Sequence, residues 1–158
     1  MSDVVVGVDG SPGSIAAIVW AIGEAELRKV NVRAVIAWEY PYAYGGLTTS
    51  VLTQESNDEL EKNAFAELEA AINAAVGKLT KQEGNAVQIE SVAIAGNPSS
   101  VMERESFTAD LVVVGAKGHS SLSKLLLGST SDYLAKHSGC PMVIVHERKP
   151  HSDGKENV

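Results

Sequence analysis

The sequence predicts a doubly wound α/β fold, a five-stranded parallel sheet covered by helices. Three observations carry that reading: short β-branched runs without polar alternation, amphipathic helical patterns between them, and glycine-rich segments directly after two of the runs.

The first strand is expected over 4–8 (VVVGV), and a helix follows over 12–29. Ser11 can cap that helix, Pro12 suits its first position, and Ile15, Ile18, Val19 and Ile22 form an apolar stripe. The runs 32–38 (VRAVIAW) and 87–95 alternate in part, which suits strands nearer the sheet edge. Between them Ser56-Asn-Asp-Glu59 fits a capping box, and Leu60, Ala64, Leu68, Ile72, Val76 and Leu79 recur at near-helical spacing until Gly84. A short helix is expected after Asn97-Pro98, then a strand over 111–114 (LVVV), a fourth helix from near Ser129 to before Gly139, and a last strand over Met142–Val145.

Winding the first three strands outward one way and the last two the other gives the order 3-2-1-4-5 with right-handed crossovers. Ligands of such sheets bind beyond the carboxyl ends of the strands where the winding reverses, here between strands one and four. Those two strands are the ones followed by Gly7-Val-Asp-Gly10 and Gly115-Ala-Lys-Gly118.

At 158 residues and 44% hydrophobic, the chain suits one compact domain, expected over 1–147. The polar segment 148–158, with Pro150 and Gly154, reads as a disordered tail. The connection 39–53, containing Tyr40-Pro-Tyr-Ala-Tyr-Gly-Gly46, is long for its place and either approaches a ligand or is a surface excursion. No apolar run approaches the roughly 18 residues of a membrane helix, and Met1-Ser-Asp-Val lacks a basic n-region, so a cytoplasmic protein without a membrane partner is expected. A net charge of −7 argues against a general nucleic-acid binder and leaves room only for a local anion site. The single cysteine, Cys140, excludes an internal disulfide and cannot supply a zinc site; it reads as a buried thiol, and no metal site is expected.

The glycine segments carry the chemistry. Gly115 and Gly118 allow backbone amides to approach an anion where a Cβ would intrude, and Gly128-Ser129-Thr130 opens a helix whose unpaired amides favour phosphate. Each feature alone has a blander reading, since glycines mark turns and Ser129 can be an ordinary cap. Together, with Lys117, His119 and Ser120 as further donors, they favour a phosphate-bearing ligand, although Lys117 and His119 equally suit a solvated face. Asp9 either faces the ligand or caps the turn before the first helix. Neither a Walker A loop nor a Gly-x-Gly-x-x-Gly after strand one is present. Leu125-Leu-Leu127 reads as packing, and His137 suits the dipole at the end of the fourth helix.

The spacing Gly115-x2-Gly118-x9-Gly128-Ser129 resembles the ATP-binding signature of the universal stress protein family. The opening 4–11 (VVVGVDGS), the segment 35–38 (VIAW) and the closing 138–145 (SGCPMVIV) occupy matching places, so the resemblance covers about residues 3–146. It implies a Rossmann-like domain, of the kind called adenine nucleotide alpha hydrolase-like, that binds ATP and forms homodimers through its last strand, Met142–Val145. Carried over by position, Asp9 would face ribose or adenine with the backbone of Gly7 nearby, and the backbone of Ala37 would pair with adenine. Family members often carry a larger aliphatic residue where Ala37 stands. Gly115, Gly118, Gly128 and Ser129 would hold the phosphates, joined by Thr130.

Hydrolysis needs a positioned base or water-orienting group and a metal beside the terminal phosphates. Asp9 is the only acid in the glycine segments, although Ser129 or a phosphate could help hold Mg2+. The preferred reading is therefore a nucleotide-dependent regulatory or stress-response protein with no catalytic residues assigned and at most slow ATP hydrolysis, acting on a protein partner the sequence does not identify. The alternatives are an ATP-hydrolysing or adenylating enzyme of the same fold, and a nucleotide-free interaction module that keeps the glycines for its turns.

Overall fold

The computed structural model describes residues 3–39, 54–79, 87–118 and 126–148. Their elements run β1 (Val4–Val8), α1 (Pro12–Arg28), β2 (Val32–Trp38), α2 (Gln54–Val76), β3 (Ile89–Ala95), α3 (Pro98–Ser106), β4 (Leu111–Gly115), α4 (Ser129–His137) and β5 (Met142–Val145). All five strands lie parallel in one sheet of order β3-β2-β1-β4-β5, as the doubly wound reading requires. The connection 40–53, the segments 80–86 and 119–125 and the tail 149–158 lie outside the described residues.

Two cores explain why the central strands lack polar alternation. Val4, Val6 and Val8 of β1 pack beneath α1 and α2 with Ile18, Ile22, Leu68 and Ile72. Val5 points the other way, where Val35, Val112 and Val114 meet Val101 and Met102 of α3 and Leu134 of α4. Because successive strand side chains face opposite sides, a strand covered on both faces must be apolar throughout. β2 alternates only in part yet is interior, paired with β1 and β3; the edges are β3 and β5.

The helix boundaries follow local chemistry. At α1, Ser11 accepts the amide of Ser14 and Pro12 takes the first turn, while Lys29 ends the helix in the left-handed region (φ 59°). Asn97 accepts the amide of Ser99 (3.0 Å) and Pro98 opens α3. α2 departs from expectation: it begins at Gln54, so the Ser56–Glu59 box falls inside the first turns rather than ahead of them. Its four-residue apolar spacing also overshoots the 3.6-residue turn, so the stripe drifts and Val76 is 47% exposed, whereas Ala71 and Ala75 are buried.

Polar ties join the second layer. The Tyr133 hydroxyl donates to Glu103 Oε2 at 2.7 Å, linking α4 to α3, and that carboxylate raises the phenol's pKa above its usual value. Arg33 of β2 pairs with Glu105 of α3 (2.7 Å) and Glu90 of β3 (2.8 Å); the bond to Glu105 is the main reason its pKa is raised. His137 lies at the end of α4, its Nδ1 2.9 Å from the Tyr133 carbonyl oxygen. Cys140 is only partly buried, not fully as the sequence suggested, because it lies just before the edge strand; burial still pushes its thiol pKa up. Leu126 and Leu127 are exposed (67% and 38%) rather than packed. No helix among the described residues is long and apolar enough to cross a membrane.

Leu134 is fully buried and is the residue by which α4 enters the second core. Leu134→Ala is expected to lower stability by about 2–5 kcal/mol, read as a drop in the urea unfolding midpoint.

Candidate functional site

The two central strands part company at their carboxyl ends. β1 pairs with β4 only as far as Val6↔Val113, whereas β1 stays with β2 to Val8↔Ile36 and β4 stays with β5 to Gly115↔Val145. Past Val6 and Val113 a crevice opens between them, framed by the N-termini of α1, α3 and α4. It forms a cleft of ≈ 270 Å³.

One part of the cleft is apolar. After Val5, the next β1 residue on the α3–α4 face is Gly7, and its missing side chain lets Met102 and Val114 close in on the strand. A Cβ there would lie 3.2 Å from Met102 Cε and 3.3 Å from Val114 Cγ1. Met102, Val35 and Val114 line this part together with Ala37 and Pro98.

The other part is built from backbone. Asp9 Oδ1 accepts the Ser11 amide at 2.9 Å and also the Ser11 hydroxyl, while Ser11 Oγ accepts the Ser14 amide at 3.2 Å. The Ser14 hydroxyl donates to the Ser11 carbonyl at 3.0 Å. The N-terminus of α1 is thus capped by its own residues. α4 differs: its N-cap is Gly128, which has no side chain to offer, and Ser129 lies one position inside the helix rather than at the cap. The first-turn amides of an α-helix lack intrahelical acceptors, so those of α4 present an uncapped positive end to the cleft.

Close backbone contacts hold these parts in register. A Cβ on Gly115 would sit 2.7 Å from the carbonyl carbon of Gly13, and one on Gly13 would sit 2.7 Å from the Lys117 carbonyl oxygen, so α1 and the segment after β4 touch backbone to backbone. Gly118 faces Asp9 Oδ2. The Gly128 amide donates to the Ala116 carbonyl at 2.7 Å, joining the two glycine segments, and the buried Ser131 hydroxyl donates to the Gly115 carbonyl at 2.6 Å.

Of the candidate residues, Gly7, Asp9, Ala37, Gly115, Lys117, Gly118, Gly128, Ser129 and Thr130 all line this one cleft. His119 and Ser120 lie outside the described residues. Asp9 caps the turn before α1 with Oδ1 and also lines the cleft. Sequence reasoning did not single out Ser14, Val35, Met102 or Ser131 as lining residues. Ser131 had a signal, two positions after Gly128-Ser129; Met102 had none, because its place depends on how α3 packs over Gly7. Among the described lining residues Asp9 is the only carboxylate and Lys117 the only cationic side chain. The arrangement suits a molecule with a flat apolar group at one end and an anion at the other.

The chain matches the sequence model of the universal stress protein family over residues 1–146. It belongs to that family. A universal stress protein of Mycobacterium tuberculosis is 30% identical over 149 residues, which is 90% of this chain and 47% of that relative. The chain therefore spans about half the length of the curated relatives it matches. Among solved structures, a universal stress protein in complex with cAMP is 26% identical, with a TM-score of 0.63 and coverage of 92% of this chain and 96% of that one. Universal stress protein UspA from Lactobacillus plantarum has a TM-score of 0.65 at 23% identity, covering 91% and 97%, and shares the fold.

Two glycines separate tight packing from open space in this universal stress protein. Gly115→Ala forces α1 off the end of β4 and is expected to cost about 1–3 kcal/mol. Gly23→Ala, in the exposed interior of α1 with nothing within 4 Å of the new methyl, is expected to stabilise by about 0.5–1 kcal/mol. Paired urea titrations read both, and equal effects would contradict the contact geometry.

Proposed function

We propose that this chain is an ATP-binding universal stress protein, a cytoplasmic, homodimeric factor whose nucleotide occupancy regulates a stress-response partner. The observation that carries the reading is the uncapped N-terminus of α4, which lines the same cleft as the apolar residues Met102, Val114, Ala37 and Pro98. A helix terminus without a side-chain cap favours phosphate, and the recess between Met102, Ala37 and Pro98 suits a purine. The 26% identical relative bound to cAMP supports an adenine nucleotide. In this reading Gly115, Gly118, Gly128, Ser129 and Thr130 hold phosphates with Lys117 supplying positive charge. Asp9 and the backbones of Gly7 and Ala37 hold the nucleoside. Mg2+ accompanying ATP would be held by phosphate oxygens and the Ser129 hydroxyl.

A binding role is preferred to a catalytic one. Phosphoryl transfer to water needs a group that orients the nucleophile. Asp9 is the one carboxylate among the described lining residues, and its Oδ1 is committed to the α1 cap. In this reading hydrolysis is at most slow.

Small molecules released from the purified, heat-denatured chain should contain ATP at about one per chain, or calorimetric titration of emptied protein should show saturable ATP binding. Neither signal at millimolar ATP would overturn the reading.

Dimerisation rests on β5. Its residues are all half-exposed, and it forms one edge of the sheet. An apolar edge with unpaired backbone groups favours pairing with a second copy. Sedimentation should report a dimer at micromolar concentration; a monomer there would remove this part of the proposal.

A further inference from the structure

Ser131 is buried, lies in the first turn of α4 and lines the cleft. Its hydroxyl has a specific target. Gly115 is the last residue of β4, two positions beyond the last pair that β4 makes with β1, so its carbonyl has no ladder partner on that side. The neighbouring Ala116 amide turns the other way, to the Val145 carbonyl of β5 at 2.9 Å. Backbone groups of successive strand residues point to opposite sides, so the Gly115 carbonyl points toward the crevice. There it accepts the Ser131 hydroxyl at 2.6 Å.

That bond has two effects on an anion held at α4. A bare carbonyl oxygen carries partial negative charge and would repel phosphate, and donation from Ser131 offsets that charge. The same bond joins the first turn of α4 to the end of β4, fixing where the helix amides point. We propose that Ser131 is a positioning residue for the phosphate of a bound nucleotide, acting through the Gly115 carbonyl and the α4 N-terminus without holding the nucleoside. This rests on the reading of the cleft as an adenine-nucleotide site.

The test compares AMP with adenosine by calorimetric titration on the full chain, for the wild type, Ser131→Ala and Ser131→Thr. Because both ligands are measured on one preparation, the ratio of their affinities is independent of how much of a variant is folded. Ser131→Ala is expected to weaken AMP about tenfold while adenosine stays within twofold, and Ser131→Thr, which keeps the hydroxyl, is expected to retain the wild-type ratio. Equal losses for both ligands in Ser131→Ala, no loss for either, or a Ser131→Thr ratio like that of alanine would overturn the inference. If Ser131→Ala gives no folded protein, Ser131→Cys, nearly the same size but a weak donor, takes its place with the same expected and overturning ratios. A wild type that binds neither ligand would instead overturn the nucleotide reading itself, an outcome distinct from wild-type binding with an unchanged ratio.

Discussion

The parting of β1 from β4 beyond Val6 and Val113 leaves backbone groups of both strands without a ladder, in the middle of a sheet whose central strands are covered on both faces. Buried backbone polar groups require partners, so the architecture around the crevice can be understood as the set of ways they are supplied. The Ala116 amide goes to Val145, the Ala116 carbonyl to Gly128 and the Gly115 carbonyl to Ser131. Each of these bonds also pins one element that frames the cleft. The site is therefore held by the sheet's own unpaired ends rather than by loops alone.

Two helices converge on this opening with opposite treatments of their N-termini. α1 carries Asp9, Ser11 and Ser14, which satisfy one another and leave little unmet at its first turn. α4 begins on Gly128 and has no such side chain. The positive end of α1 is thus met by its own side chains while that of α4 is not, so in the proposed reading the anion-favouring side of the cleft lies near Gly128 and not near Pro12. Tight backbone contact between Gly13 and Gly115 sets the first turn of α1 against the end of β4; a side chain at either position would drive them apart.

Most of this was legible because it depends on short stretches of chain. The apolar runs gave the strands, Ser11-Pro12 and Asn97-Pro98 gave two helix starts, and the order of elements gave the switch point. What escaped depends on distant packing. The start of α2 cannot be read from Ser56 because the Ser-x-x-Glu pattern also occurs inside helices, where it caps nothing, and β2 reads as a near-edge strand because partial alternation does not reveal how many neighbours a strand has. Met102 joined the site only through the absence of a side chain at Gly7, ninety-odd residues away in sequence and therefore invisible to local pattern. The roles of Gly115 and Gly118 also look different in three dimensions: the first admits the backbone of α1 and the second the carboxylate of Asp9, so close approach of protein to protein is as much their reason as close approach to a ligand.

The same ladder that shapes the cleft also reaches the sheet edge. Val145 of β5 both pairs in register with Gly115 and accepts the amide of Ala116, so the strand proposed to meet a second copy is one hydrogen bond from the segment proposed to meet phosphate. No flexible linker separates the two within the described residues, since β4 and β5 are paired from Val112↔Met142 onward. Coupling between two sites requires an element whose arrangement both of them bias. In the proposed reading that element is the end of β4, where a shift of Ala116 toward a ligand would stretch its 2.9 Å bond to Val145 in the edge strand.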